Sequence, residues 1–438
     1  MARQESSYKR RLPAGFLDSA FASLATFAVG LAAVNLLDDV NRGVYTVYFT
    51  AFMLGTVLPR NLIYTPAEVQ AVSYPNSERL SVIRHSIVLG VTPGIVGALS
   101  AVIAYVVTSG YATADVSVAL MATTAITIVL SPMQDHVRRM LHIAAWSWRA
   151  AWVSIVQFVA VVLAVGSAMV MDVPVAWIPF GALAVANAVS LTFAWVVGRY
   201  SVDDDAPHHL SFLELSRKGV WLVIHAAAPA ITGFAVAATI AALASPEDLG
   251  YAESARVVAQ PILVLAAGLT AVLAPRSMRA AMDRDRATAA RTRKIYMVII
   301  VASGLGYVAI AGWDWVLNPM VFLVPSAYVV PGLVALTVIG NVVVSGVFLQ
   351  VNELLGAHRE RRLAGIAWAS SPISLLIGLT AGVTGAFARP LGFLAGSTAR
   401  YAFHGAALRS VYEEPAGPES TEGLGPMASG DSASGRVD

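Results

Sequence analysis

The sequence predicts an all-α, polytopic membrane protein, and three observations support that fold class. Hydrophobic residues make up 57% of the 438 residues and charged residues only 13%, about half the share of a typical soluble domain. The mean hydropathy is +0.68, and apolar stretches of about 18 residues or more recur along the chain. The short alternating runs of a membrane β-barrel are not seen, so backbone polar groups in the membrane must pair within helices.

The apolar stretches predict about twelve transmembrane helices, arranged as two lobes of six. Each stretch is long enough to cross a hydrocarbon core about 30 Å thick. In order along the chain, the predicted spans are residues 15–37, 44–63, 86–108, 114–132, 150–171, 174–198, 219–244, 252–274, 295–313, 328–350, 363–383 and 387–409.

The distribution of positive charge predicts the orientation of these spans. Most of the 29 Lys and Arg residues fall in the N-terminal segment, in every second connection and in the C-terminal tail. The other side of the membrane carries only Arg42, Arg256 and Arg389, all at span edges. Because cytoplasmic loops carry the excess of Lys and Arg, we expect both termini to be cytoplasmic.

Weak internal similarity predicts that the two lobes are parallel repeats. Ser23 to Gly43 aligns without gaps with Ala230 to Gly250, and the pairs Gln134/Gln350 and Ser154/Ser370 share one separation along the chain. Six spans return the chain to its starting side, as a parallel repeat requires. The predicted organisation is a cytoplasmic segment 1–14, a lobe 15–199, a cytoplasmic linker 200–218, a second lobe 219–411 and a disordered tail 412–438.

Composition and motifs argue against an enzyme, a metal site and a nucleic-acid partner. There is no cysteine, and no lysine follows a glycine, so thiolate chemistry and a P-loop are excluded. The basic segment 276–294 lacks interleaved aromatic residues, which favours an ordinary cytoplasmic loop over a nucleic-acid site. The segment 203–209, DDDAPHH, is interpreted as a solvated linker rather than a metal site. No cofactor is expected.

Two segments carry a resemblance to a known family. LDSAFASLATFAVGLAAVNLLDDVNRGVYTVYF (17–49) resembles the first helical hairpin of polysaccharide (O-antigen-type, Wzx-like) flippases, through Asp18, Phe27, Gly43 and Tyr45. SPMQDHVRRMLHIAAWSW (131–148) is similar to the Gln-Asp-x-x-Arg-Arg segment at the cytoplasmic end of that family's fourth helix. The residues that carry this cytoplasmic-end motif are Gln134, Asp135, Arg138 and Arg139.

The resemblance implies a transporter in the superfamily that also contains the MATE drug exporters and the lipid II flippases. The implied activity is movement of a lipid-pyrophosphate-linked oligosaccharide across the cytoplasmic membrane by alternating access. The implied partners are that lipid-linked glycan, membrane lipids and other proteins of cell-envelope glycan assembly. Two alternatives stay open: a small-molecule exporter of MATE type, and a transport-inactive scaffold for glycan enzymes.

Five polar side chains within the predicted spans are candidates for lining a central cavity: Arg60, His225, Arg256, Asn341 and Arg400. Arg60 and Arg256 lie within two turns of a span end, so they can also snorkel to the interface. Arg256 follows Glu253 by three residues, a spacing that favours a local ion pair. His225 can instead be a hydrogen-bonded core residue, and Asn341 a link between helices.

Arg400 is the candidate with the deepest predicted position. It lies ten residues after Pro390, about 15 Å along a helix, which places it near the middle of the membrane. Either a polar neighbour from another span pairs with it, or it faces a hydrated cavity that receives an anionic headgroup.

Overall fold

The computed structural model describes residues 2–72, 79–197 and 210–413, and these contain helices but no strand. The all-α prediction is therefore confirmed. Twelve long helices correspond in order to the twelve predicted spans: Ala2–Leu36 (α1), Asp39–Gly55 (α2), Arg79–Thr108 (α3), Ala114–Ile143 (α4), Ser147–Val170 (α5), Ile178–Val197 (α6), Phe212–Leu243 (α7), Pro246–Met282 (α8), Arg286–Ala311 (α9), Leu333–Gly356 (α10), Glu360–Gly378 (α11) and Ala388–Glu413 (α12).

Nine helical segments in the described part of the chain are long and apolar enough to cross a membrane. A tenth arises if Glu360–Gly378 and Ala381–Glu413, which meet at a bend of 50°, form one broken span. The predicted span 44–63 is not one regular helix. Its first part, α2, has 17 residues, and the chain continues through Val57–Pro59, a π-helical turn Arg60–Tyr64 and Thr65–Val72. The chain is thus a polytopic membrane protein.

Side-chain caps mark where several helices begin. The Asp38 carboxylate accepts a hydrogen bond from the Asn41 backbone N–H at 2.8 Å, at the start of α2. The Ser245 hydroxyl accepts one from the Asp248 N–H at 3.0 Å, and Pro246 follows at the first helical position of α8. These caps satisfy N–H groups that have no partner within the helix.

The connections predicted to be cytoplasmic are shorter than the sequence indicated. Within the basic segment 276–294, α8 continues to Met282 and α9 begins at Arg286, so most of this segment is helical. Within the linker 200–218, residues 212–218 already belong to α7. The helices extend into the basic segment because alanine, arginine and lysine have high intrinsic helix propensities. The rest of that linker up to 209, and the tail from 414 onward, lie outside the described residues.

The two halves of the chain, residues 2–197 and 210–413, repeat one pattern of helix packing. In the N-terminal half α1 packs on α5, α5 on α6, α2 on α3 and α4, and α4 on α6. In the C-terminal half α7 packs on α11, α11 on α12, α8 on α9 and α10, and α10 on α12. A parallel repeat produces this pattern.

The halves meet through α2, which packs on both α7 and α8, through the turn Arg60–Tyr64, which packs on α7, and through α1, which packs on α8. Gly43 and Gly250 permit close backbone contact there, because an added Cβ would collide with the backbone of Pro246 and of Asp39 respectively. One buried apolar cluster crosses this interface and includes Tyr45 and Ile240. The α1–α2 and α7–α8 turns therefore lie close together, on the side predicted to be external.

The predicted orientation can be tested by cysteine labelling, because the chain has no cysteine of its own. Gly110, at the turn after α3, has no heavy atom within 4 Å of the position that a Cβ would take, and Ala290, near the start of α9, is exposed. Gly110→Cys should react with a membrane-impermeant thiol reagent in intact cells. Ala290→Cys should react only after the membrane is opened. The opposite labelling pattern would reverse the orientation.

Candidate functional site

A buried carboxylate organises the interior of the N-terminal half. Asp18, on α1, is 3% exposed and has three polar neighbours on α4 and α5. Its oxygens lie 2.7 Å from Arg138 Nη1, 2.9 Å from His142 Nε2 and 2.6 Å from Ser154 Oγ. The carboxylate is fully surrounded by donors, so it ties three helices together.

The cytoplasmic-end motif lies beside this carboxylate and reaches it only through Arg138. Gln134 donates to the Gln157 side chain at 3.2 Å, which links α4 to α5. Asp135 forms an ion pair with Arg138 at 2.9 Å. Arg139 Nη1 lies 3.6 Å from Glu68. The motif therefore cross-links helices of one half rather than forming one pocket.

A serine, a histidine and a glutamate in the same half have the connectivity of a hydrolase triad. Ser86 Oγ lies 2.7 Å from His136 Nε2, and His136 Nδ1 lies 3.0 Å from Glu68 Oε1. Ser86 also bonds the Val82 carbonyl at 2.6 Å, and the Tyr64 ring stacks on the His136 ring at 4.5 Å. Ser86 and His136 are 0% and 1% exposed, so no substrate bond reaches the hydroxyl and the arrangement is structural.

Arg60 is exposed and begins the π-helical turn that follows α2. Within the described part of the chain its guanidinium has no ion pair or hydrogen bond. The charged side chains that interact electrostatically with the Arg60 guanidinium are chiefly that of Arg139, and then those of Asp135 and Glu68. A π-helical turn frequently marks a functional position, and here it places a free cation at the edge of the N-terminal half.

Arg256 lies in an ion cluster near the α1–α2 and α7–α8 turns. It binds the fully buried Glu253 through Nη2 at 2.6 Å and through Nε at 3.0 Å, so the predicted local pair is present. Arg389 Nη1, from the start of α12, binds the same carboxylate at 2.7 Å. The Arg256 guanidinium also lies 4.3 Å from the centroid of the Phe49 ring on α2, across the interface between halves.

Asn341 is buried on α10 and donates through Nδ2 to the Ala259 carbonyl on α8 at 2.9 Å. This hydrogen bond joins α10 to α8. Asn341 therefore links two helices, which is the second of the two roles that the sequence predicted for it.

A second group of basic side chains in the C-terminal half, on α7 and α12, has no carboxylate partner among the described residues, unlike Arg256, Arg389 and Arg293 of the same half. Arg400, on α12, is partly buried and forms no ion pair or hydrogen bond with any described residue. His404 follows one turn later and is 0% exposed, yet neither ring nitrogen has a partner in the described structure. His225, on α7, has only the Leu363 carbonyl, 3.2 Å from Nδ1. The titratable side chains that interact electrostatically with the His404 ring are those of His225 and Arg400.

Two further buried polar atoms of the C-terminal half also lack hydrogen-bond partners among the described residues. Ser397 Oγ on α12 and Gln350 Oε1 on α10 are buried and form no hydrogen bond with the described residues. Pro229 removes the N–H that would otherwise bond the His225 carbonyl within α7. Ser397, Arg400 and His404 are spaced three and four residues apart on α12 and therefore lie on one face of that helix.

Sequence reasoning named Arg400 and His225 but missed His404. The signal was present, because His404 lies four residues after Arg400 and therefore on the same helix face. His404 was overlooked because it lies close to the predicted end of the last span, where a histidine usually reaches water.

Neither a protein-family model nor a curated protein matches the sequence. Solved structures match over most of the chain. The inward-facing conformation of a multidrug resistance MATE family transporter of the MOP superfamily superposes with a TM-score of 0.70 at 12% identity, over 90% of this chain and 96% of that one. The eukaryotic MATE transporter AtDTX14 gives 0.66 at 14% identity, over 92% and 98%. The outward-facing conformation of a multidrug resistance MATE family transporter gives 0.64 at 12% identity, over 92% and 96%.

These likenesses define the fold: the chain has the architecture of MATE/MOP superfamily transporters. The narrower resemblance to polysaccharide flippases stays a prediction.

Proposed function

We propose that this protein is an exporter of the cytoplasmic membrane that moves a lipid-linked oligosaccharide from the inner to the outer leaflet by alternating access. The substrate headgroup is a pyrophosphate, and the surrounding lipids carry its hydrocarbon chain. The observation that carries the proposal is Arg400, a cation inside a predicted span that has no counter-charge among the described residues.

Energetics explain why an unpaired arginine points to an anionic substrate. Insertion of an arginine at the centre of a membrane helix costs about 2.5–3.5 kcal/mol. Elsewhere in this protein buried arginines have carboxylate partners, as Arg138 has Asp18 and Arg256 has Glu253. A planar guanidinium binds two phosphate oxygens at once, so a pyrophosphate supplies the missing partner with directional hydrogen bonds.

The two halves contact each other at both ends of the helix bundle. On the side predicted to be external, the Tyr251 hydroxyl lies 3.4 Å from Asp39 and Arg256 contacts Phe49. On the opposite side, the turn Arg60–Tyr64 packs on the start of α7. Alternating access would separate these two sets of contacts in turn, so that a substrate made in the cytoplasm enters at one end and leaves at the other.

Deleting the gene tests the substrate class. We expect lipid-linked oligosaccharide to accumulate in the cytoplasmic leaflet and surface glycan to fall, because the charged headgroup does not cross the hydrocarbon core unaided. The measurement is extraction of the lipid-linked pool together with quantification of surface glycan, with and without a plasmid-borne copy of the gene.

Two results would contradict the proposal. Normal surface glycan combined with new sensitivity to cationic drugs would favour the MATE-type exporter. If the deletion strain loses surface glycan, and a variant trapped in one conformation still restores it, the result would favour the scaffold.

A further inference from the structure

We propose that the connection between α9 and α10, residues 312–332, inserts its exposed side chains into the membrane leaflet that surrounds the end of α9. We call these residues the α9–α10 connection. The partner that this surface fits is lipid, at the depth where the headgroups meet the hydrocarbon chains. The inference goes beyond the proposed function, because it holds for any transported substrate.

Large apolar side chains cover the outer surface of the α9–α10 connection. Val316 is 89% exposed, Phe322 80% and Leu317 73%. Asp314 is the only charged residue between positions 312 and 332. A concentration of exposed apolar side chains marks a contact with a membrane or with another protein.

The exposed surface of α9 indicates that the contact is with lipid. α9 is long and apolar enough to cross a membrane, and Leu305 and Ile310 are exposed on it. Trp313 and Trp315, both exposed, follow the end of α9 closely. Tryptophan is enriched where the hydrocarbon meets the headgroups. The apolar surface of the span therefore passes through an interfacial pair of tryptophans into the connection, with only Asp314 between them.

The backbone of the α9–α10 connection has internal partners that suit an environment with little water. Asn318, which is 0% exposed, donates through Nδ2 to the Trp313 carbonyl at 2.9 Å. The Tyr328 hydroxyl donates to the Ala311 carbonyl at 2.8 Å. Three further positions have no N–H group to satisfy, because they are prolines: Pro319, Pro325 and Pro331. Polar backbone groups that are removed from water need partners within the protein, so these features allow the connection to lie at the membrane interface.

The α9–α10 connection has no equivalent in the N-terminal half. The repeat places the turn 109–113, between α3 and α4, at the corresponding position. That turn is much shorter, and Tyr111 is its one large apolar side chain. A surface that is present in one half only is not needed to complete the repeated helix packing, so it is available for a separate role.

The α9–α10 connection also contacts the other half of the protein. Asn35 Nδ2, at the end of α1, donates to the Leu323 carbonyl at 2.9 Å. Val34 shares a buried apolar cluster with Val324 and Ala327. An inserted connection therefore fixes the C-terminal half at one depth in the leaflet and holds the end of α1 beside it.

Spin labels on the purified full-length protein in nanodiscs of phosphatidylethanolamine and phosphatidylglycerol test the insertion. Because the chain has no cysteine, Val316→Cys and Phe322→Cys can each carry one label. Both labels should collide more with oxygen, which dissolves in lipid, than with a water-soluble nickel chelate. Leu305→Cys, on the exposed surface of α9, should behave in the same way. Gly110→Cys, in the short turn after α3, should show the opposite preference.

Charged variants separate insertion from correct folding. In a protein labelled at Leu317→Cys, the double substitution Val316→Asp and Phe322→Asp should lower the collision rate with oxygen, because a carboxylate is costly to place in hydrocarbon. The replaced side chains are exposed, so thermal unfolding in detergent should match that of the unsubstituted protein. Tyr111→Asp in the same labelled background is the control and should leave the oxygen collisions unchanged. An unchanged collision rate in the double variant would overturn the proposal.

Other outcomes assign the surface to a different partner. Preference of the labels at positions 316 and 322 for the nickel chelate would overturn insertion. If a membrane-impermeant thiol reagent then fails to modify Val316→Cys in intact cells while it modifies Gly110→Cys, the surface binds a partner protein that the nanodiscs lack. Dipolar broadening between labels on two molecules in one nanodisc would overturn the lipid contact in favour of a second copy of the chain. Each result leaves the test of export by gene deletion unaffected.

Discussion

Replacing Arg400 with alanine is expected to abolish glycan export while the protein still accumulates in the membrane. The guanidinium has no partner among the described residues, so its removal leaves no buried carboxylate behind and relieves the cost of an unpaired charge in the membrane. A hydrogen-bonded phosphate–arginine contact contributes about 1.5–3 kcal/mol, or roughly 10- to 150-fold in affinity. The measurement is surface glycan in a deletion strain that expresses the variant, with membrane levels determined in parallel.

Matched variants make this result specific. Arg400→Lys should retain part of the activity, because an ammonium keeps the charge but loses the two-pronged geometry. Arg409→Ala removes an exposed arginine of the same helix, and it should export like the wild type. Normal export by Arg400→Ala, or failure of that variant to accumulate, would show that the arginine is structural.

The helices and their repeat could be predicted because they depend on local sequence and on hydropathy. Nearly every predicted span lies on a helix, and the helix packing of the two halves follows the predicted duplication. The predicted ends were less accurate, since the charged segment 276–294 continues two helices beyond the apolar stretch. The break after α2 was missed, because hydropathy does not register a π-helical turn at Arg60–Tyr64.

The polar contacts were harder to predict, because most partners are distant in the sequence. Asp18 meets Arg138 and Ser154 from more than a hundred residues away, and Arg389 meets Glu253 across a similar separation. Only pairs one helical turn apart, such as Glu253 with Arg256, show in the sequence.

The contrast between Arg256 and Arg400 illustrates this limit. Both arginines lie in apolar stretches of the sequence, and the sequence makes both of them candidates for lining a cavity. The structure pairs Arg256 with a carboxylate and leaves Arg400 without one among the described residues. A carboxylate three residues before Arg256 was visible in the sequence, whereas the lack of any partner for Arg400 depends on every helix that packs around it.

Removing the Glu253 carboxylate is expected to lower stability by the largest amount near the α1–α2 and α7–α8 turns. Glu253 is 0% exposed and accepts hydrogen bonds from both Arg256 and Arg389 at 2.6–3.0 Å. Glu253→Ala leaves the two partly buried guanidinium groups of Arg256 and Arg389 without their shared counter-charge. Breaking a buried ion pair from one side costs about 3–5 kcal/mol, so the variant should unfold at a clearly lower temperature or accumulate poorly.

A neutral replacement of the whole cluster separates the cost of unpaired charge from loss of packing. The triple variant Glu253→Leu, Arg256→Met, Arg389→Met should recover most of the stability lost in Glu253→Ala, because apolar side chains of similar volume often replace a buried ion cluster without penalty. Glu214→Ala, which breaks an exposed pair with Lys218, is the control and should change stability by less than about 1 kcal/mol. Thermal unfolding of the purified variants in detergent is the measurement. If Glu253→Ala is as stable as the wild type, water reaches the cluster in the resting state. The contact between the halves is then looser than the 4.3 Å separation of Arg256 and the Phe49 ring indicates.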